Sequence, residues 1–229
     1  MNDASAPEVS GGGSRTVITG DGIAWLEAST LAVEHAIVTS LPDYSELRSM
    51  TFEAWRSWFI DTAALVCDSV DEAGVAVFYQ TDIRRGGGWI DKGHLVSLGA
   101  DRAGVRCIDH HIVCRVPAGT ATSGRPGYAH LLAFSRGVEV VPDPAAPDVL
   151  PALGEMSWSR AMGTAACEVA CRFLRRNTRA RIVIDPFCGY GTMLAVANAY
   201  GFDAIGVDSS EKHAARARRL RFVRGVGLA

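Results

Sequence analysis

The chain has 229 residues, 48% of them hydrophobic and 21% charged, with a formal net charge of −2. That composition belongs to an ordinary globule with a full core, as one domain or one domain carrying a small insertion. It excludes a low-complexity or strongly charged disordered chain, and no apolar run approaches the roughly 20 residues a membrane span needs.

The opening MNDASAPEVSGGGS is small, polar and Gly-rich, so residues 1–14 are expected to be disordered. It lacks the basic and apolar regions of a secretory signal, and the six cysteines show no repeated spacing, so reduced thiols and a cytoplasmic location are expected. TVITG (16–20) then reads as a short strand and DGIAWLEAS as a short helix with Asp21 as its N-cap. HAIVTS (35–40) is a β-branched buried strand ending in the turn-like LPDYSEL. Residues 51–70 form a long helix, with Phe52, Trp55, Phe59, Ala63 and Val66 at helical spacing. GVAVFYQTDI (74–83) is a buried strand broken by RRGGGW, and residues 105–116 and 128–136 are further strands. The segment VVPDPAAPDVLP (140–151), with four prolines, marks an internal seam. Beyond it the pattern predicts a helix over 160–176, a strand over 181–185, a helix over 192–200, a strand over 203–207 and a helix over 210–221. Strand–helix alternation on both sides of the seam means an α/β fold around a largely parallel sheet.

Charge is unevenly spread. Residues 1–171 hold 12 basic and 21 acidic residues, whereas 172–229 hold 11 and 4. Twenty-one of the 23 basic residues are arginine, clustered at 172–181 and 216–224. Arginine forks suit phosphates, although two solvated helix faces would look the same on charge alone.

The densest motif stands late, at IVIDPFCGYGT (182–192) followed by GFDAIGVD (201–208). A buried strand runs into a tight turn, where Gly189 and Gly191 let backbone approach a ligand and the next helix offers unpaired N–H groups. The following strand ends in Asp208, placed to accept both hydroxyls of a ribose. A dinucleotide fingerprint would want glycine at 194, where the chain has Leu194. The pattern therefore points to an adenosine-bearing ligand without a pyrophosphate.

DPFCGYGTMLAVANAYGFDAIGVDSSEKHAARAR resembles the S-adenosylmethionine site of the amino-methyltransferases that act on nucleic acids. In the permuted beta class of that family the catalytic half comes first and the cofactor motif last. VITGDGIAWLEASTLAVEHAIVTSLPDYSEL looks like that class's opening strand, Gly-Asp, helix and catalytic strand, and RPGYAHLLAFSR is similar to its later hairpin strand. The resemblance runs from about 16 to 221. It implies a Rossmann-like methyltransferase sheet, mostly parallel with an antiparallel hairpin strand and circularly permuted. A single domain over 15–229 is expected: a catalytic half (15–139), a Pro-rich linker (140–158) and a cofactor-binding half (159–229). It further implies S-adenosylmethionine bound by Asp185, Phe187, Gly189, Gly191 and Asp208, with Asp21, Ser159 and Arg160 in support.

The catalytic loop departs from the family pattern. It reads Ser40-Leu41-Pro42-Asp43-Tyr44, with Leu41 in place of one proline and the aromatic displaced by one position. The resemblance implies that Ser40 and the carbonyl beside it accept protons from an exocyclic amine while an aromatic stacks on the base. Asp43 adds a carboxylate that could serve as general base, which opens the acceptor to a ring nitrogen or a hydroxyl. Ser40, Pro42, Asp43 and Tyr44 are the expected catalytic set; alternatively, 40–46 is a turn in which Asp43 caps the next helix.

Arg84, Arg85 and Trp89 of DIRRGGGWI, with Arg216 and Arg219, are the candidate nucleic-acid contacts. CIDHHIVC (107–114) is not read as a metal site, because strand alternation points Cys107 and His111 away from His110 and Cys114. Tyr79 and Trp158 read as core. With no large target-recognition insertion in the chain, RNA (tRNA or rRNA) recognised by shape is favoured over DNA. DNA, a small molecule, or a non-catalytic S-adenosylmethionine- or RNA-binding role stay open, as does a homodimer.

Overall fold

Parallel pairing begins at the first strand, β1 (Arg15–Thr19), which lies beside the last long one, β10 (Asp203–Asp208). β10 pairs with β9 (Ile182–Asp185), β9 with β2 (His35–Thr39), and β2 with β3 (Ala76–Gln80), all parallel. β7 (Tyr128–Ser135) then runs antiparallel between β3 and β6 (Arg106–Cys114), and β8 (Val149–Leu150) closes the far edge. The eight-stranded order is β1-β10-β9-β2-β3-β7-β6-β8, with β7 its one antiparallel member. The computed structural model describes residues 12–229. The expected disorder of 1–11 lies outside the described residues, whereas that of 12–14 is corrected: Ser14 donates from its N–H and hydroxyl to Asp203 Oδ1, at 2.6 and 2.8 Å.

Helices cover both faces. On one side lie α1 (Gly22–Glu27), α2 (Phe52–Ser69) and α3 (Lys92–Arg102), on a core that includes Ile37, Trp55, Phe59, Phe78 and Phe134. On the other lie α4 (Thr164–Asn177), α5 (Thr192–Ala199) and α6 (Glu211–Arg219), burying Val38, Val77, Leu174, Val183 and Leu194. Alternation along β2 explains the division, since Ile37 faces α2 and Val38 faces α4. Asp21, Thr51, Asp91 and Ser210 accept N–H bonds at the starts of α1, α2, α3 and α6.

Three features differ from the sequence reading. The stretch after β3 is a β-hairpin, β4 (Ile83–Arg85) and β5 (Gly88–Ile90), leading into the unforeseen α3. The Pro-rich segment contributes β8 to the sheet instead of serving only as a linker. The chain closes with a small hairpin, β11 (Phe222–Val223) and β12 (Gly227–Leu228). Because β9 leads to β10 on one side and β2 leads to β3 on the other, the chain reverses direction across the sheet between β9 and β2. That is where ligands bind in open α/β sheets, beyond the strands' carboxyl ends.

Candidate active site

A cavity of about 460 Å³ opens at that reversal, in the size range of small-ligand sites. Four strand ends supply its walls: Asp21 after β1, Ser40 and Pro42 after β2, Asp185 and Phe187 at β9, and Asp208 at β10. Gly189 and Arg160 line it too, so eight sequence-predicted residues meet in one space.

Asp185 is buried at the wall. Its Oδ1 accepts the Thr39 hydroxyl at 2.7 Å, bridging β2 to β9, and the Phe187 N–H at 3.1 Å. Desolvation by burial outweighs these bonds and pushes its pKa up to about 7, with Asp208 adding repulsion. Among the described residues no basic group pairs with it. Asp208 accepts the Gly189 N–H at 3.0 Å on one oxygen and the Ser210 N–H at 2.8 Å on the other, with His213 Nδ1 3.3 Å away. Oδ2, which accepts only the Gly189 N–H, keeps a second lone pair for a ligand, while His213 stands beside Oδ1.

Four of the twelve residues expected for cofactor and catalysis lie elsewhere. Gly191 does not face the cavity. It holds φ at +80°, and an added Cβ would stand 2.8 Å from the Ala217 Cβ, so glycine here lets α5 pack tightly on α6. Asp43 and Ser159 border a smaller polar slot that shares Ser40, Leu41, Glu46, Arg160 and Ala161 with the cavity. Asp43 Oδ2 lies 3.4 Å from the ammonium of the buried Lys92, and Oδ1 accepts the Ser45 N–H at 3.0 Å. Burial opposes the Asp43 charge, but the Lys92 charge and the Ser45 bonds outweigh it, so its carboxyl is held below the ordinary carboxylate range. An ion-paired carboxylate of that kind is a weak proton acceptor.

Tyr44 packs edge-on against Phe52 and Trp55, at 5.6 and 5.9 Å between centroids, and the Arg85 guanidinium covers it at 4.8 Å. The one-position displacement has moved the aromatic ring off the cavity and onto α2. The turn between them is fixed as well, since Trp55 Nε1 donates to the Pro42 carbonyl at 3.2 Å.

The sequence reading missed the apolar and aromatic lining. Trp58, Met50 and Leu47 border the cavity, and Trp58 sits edge-on to Phe187 at 6.3 Å. Trp158, expected in the core, lines the opposite side, stacked on Tyr190 at 5.1 Å and against His213 at 5.5 Å. Arg216 caps Tyr190 at 4.3 Å, beside the cavity rim. Arg219 does not join it. It is the last residue of α6, at the end where the Arg15 guanidinium donates to the Ala217 and Leu220 carbonyls at 2.7 and 2.6 Å.

The β4–β5 hairpin projects on the other flank. Arg84 lies over the Trp89 ring at 4.9 Å, and Trp89 stacks on Tyr128 at 6.4 Å while remaining 45% exposed. Buried Asp82 anchors this unit, accepting from Trp89 Nε1 at 3.0 Å, the Lys92 N–H at 2.9 Å and the Tyr128 hydroxyl at 3.3 Å, with His130 Nε2 3.4 Å away. His110 turns toward His130, at 3.2 Å, whereas His111 lies between the Pro147 carbonyl and Asp109, both at 2.9 Å. Among the described residues no helix is long and apolar enough to cross a membrane.

No family model and no curated protein sequence matches the chain. Solved structures do share its fold. TTHA0409 from Thermus thermophilus, provisionally described as a DNA modification methylase and complexed with S-adenosyl-L-methionine, is 18% identical with a TM-score of 0.66, over 89% of this chain and 92% of that one. PvuII DNA methyltransferase (cytosine-N4-specific) is 14% identical with a TM-score of 0.66, over 90% and 86% of the two chains. The M1.HpyAVI–SAM complex is 16% identical with a TM-score of 0.60, over 90% and 98%. The fold is the Rossmann-like methyltransferase sheet.

Proposed function

We propose that the chain is an S-adenosylmethionine-dependent methyltransferase acting on a nucleic acid. One observation carries the reading: four parallel strand ends deliver an unpaired buried carboxyl, a ribose-competent carboxylate and a glycine turn into one cavity of about 460 Å³. The fit is electrostatic as well as spatial, since a buried acid without a counter-charge favours a positively charged ligand. S-adenosylmethionine, when bound, supplies an electrophilic methyl group on a sulfonium. Asp208 would hold the ribose hydroxyls, Asp185 would face positive charge, and Trp58, Met50 and Phe187 would cover apolar surface. Ser40, at the wall common to cavity and slot, would accept a hydrogen bond from the acceptor group. Transfer of this kind rests mainly on alignment of acceptor, carbon and leaving group. Asp43 is then a positioning residue that straps the turn to Lys92 on α3.

DNA is the better-supported nucleic acid. Two of the three neighbours are named for DNA, and the RNA preference expected from the sequence has no counterpart among them. The β4–β5 hairpin supports a nucleic-acid contact, since exposed Trp89 with Arg84 over its ring borders an open groove of about 550 Å³. We infer the permuted order from the Arg15 bonds to Ala217 and Leu220, which lay the end of α6 against the start of β1. Joining those ends would give an ordinary strand–helix–strand crossover. The test is transfer of labelled methyl groups from S-adenosylmethionine to genomic DNA and to total RNA, with calorimetry of S-adenosylhomocysteine. Label in DNA above RNA is expected; no binding of either cofactor form would refute the reading.

A further inference from the structure

Beside the Ser40 turn lies a narrow polar slot of about 30 Å³, room for roughly two water-sized atoms. Four cationic side chains border it (Lys92, Arg115, Arg125 and Arg160) against two carboxylates, Asp43 and Glu46. The carboxylates are taken: Asp43 pairs with Lys92 at 3.4 Å, and Glu46 with Arg160 at 3.3 Å. Among the described residues Arg115 and Arg125 then have no acidic partner. Arg115 donates through Nη1 to the Thr81 hydroxyl at 3.3 Å, and its buried Nε has no partner. Arg125, more exposed, donates through Nη1 to the Ser159 carbonyl at 3.1 Å. Burial, and next the neighbouring Arg125 charge, lower the Arg115 pKa. Two like charges that share a slot without a counter-ion are unfavourable, and two oxygens of a carboxylate or phosphate, as many as the slot admits, reverse that while the rest of the group stays outside it.

We propose that this slot is an oxyanion subsite on the acceptor side of the reaction, with Arg115 and Arg125 as its binding residues. Ser40 is a wall of both spaces, so an anion held in the slot lies next to the group that receives the methyl. The inference rests on reading the larger cavity as the cofactor site. The ligand chemistry is a phosphate or carboxylate oxyanion, and it has two sources: the phosphodiester flanking a target nucleotide, or the acid group of a small acceptor.

Calorimetry on the full chain tests this, using inorganic phosphate as one probe and a short random-sequence single-stranded DNA as the other. Phosphate is titrated with and without S-adenosylhomocysteine, so the slot is tested even if the cofactor reading fails. Arg125→Gln alters an exposed loop, and retained S-adenosylhomocysteine affinity reports the folding of Arg115→Gln. Each variant is expected to weaken phosphate at least tenfold, the loss of a charge-assisted bond. If the DNA weakens in parallel and phosphate competes with it, the subsite holds a phosphodiester. If the DNA is unaffected while phosphate is lost, the subsite holds the acid of a small acceptor. Phosphate that does not bind the wild-type chain, or binds it and both variants equally, overturns the subsite. Failure of the wild type to bind S-adenosylhomocysteine refutes the cofactor site alone.

Discussion

Replacing Asp185 by asparagine isolates one charge without changing shape. The Thr39 hydroxyl and the Phe187 N–H both donate to Asp185 Oδ1, and an asparagine oxygen can accept both. What changes is ionisation. In the unfolded chain the carboxyl titrates near its ordinary 3.8, whereas in the fold burial raises it to about 7. Below about pH 3.8 the group is neutral in both states and contributes nothing to the pH dependence. As pH rises from there to about 7 the unfolded state ionises and the folded state does not, so stability falls, and above about 7 it levels off. Linkage bounds the total at about 4 kcal/mol. Urea denaturation followed by tryptophan fluorescence should therefore show Asp185→Asn and wild type alike near pH 4, with the variant more stable by about 1–4 kcal/mol at pH 8. Cofactor binding should move oppositely. A cationic ligand favours the ionised acid, so wild-type affinity for S-adenosylmethionine should rise through pH 7, and the variant should bind weakly at every pH. A variant less stable than wild type at pH 8, or a stability gap equal at pH 4 and 8, would refute the reasoning.

Asp43→Asn leaves buried Lys92 unpaired and should cost about 3–5 kcal/mol. Adding Lys92→Met should restore most of that stability, and methyl transfer should return with it, whereas activity lost in both variants would make Asp43 the base. Gly191→Ala places a side chain at φ +80°, with its Cβ 2.8 Å from Ala217; a loss of at least about 2 kcal/mol in urea denaturation is expected, and a neutral result would contradict the close α5–α6 packing. Trp89→Ala should weaken single-stranded DNA by roughly 1–3 kcal/mol, the range for one stacked base, with S-adenosylhomocysteine affinity unchanged.

Residues that signal through periodicity or turn chemistry were legible in the sequence. β2, β9 and β10 are short apolar runs, α2 carries its aromatic residues at helical spacing, and the 185–191 turn and Asp208 stand within one βαβ unit. α3 carries two glycines, Gly93 and Gly99, which weaken its helical pattern, and no element is assigned there from the sequence. Gly99 is a packing residue, for an added Cβ would stand 2.7 Å from both the Ala63 Cβ and the Ile60 carbonyl on α2. β8 was hidden by flanking prolines, which sit at a sheet edge where no donor is needed. The role of Asp43 could not be read from its own neighbourhood, since its partner Lys92 comes 49 positions later. Trp158 was placed in the core by residue type alone; its neighbours Tyr190 and His213 belong to the far end of the chain.

The Ser40–Pro42 turn shows how the fold keeps a departing motif in place. Three bonds from three elements hold it: Thr39 to Asp185 on β9, Pro42 to Trp55 on α2, and Asp43 to Lys92 on α3. Each uses a group that is buried or nearly so, which makes the bonds short-ranged, weakly screened and costly to break. A turn fixed from three sides would lose little entropy on binding an acceptor, the property that the proposed methyl transfer would use. The same construction accounts for the displaced aromatic. Tyr44 continues the packing of Trp55 and Phe52 and strengthens the turn from outside, so under the proposed function it is not the ring that stacks on a base. Under the proposed function Trp89, exposed beside Arg84 and bordering the groove, would take that part.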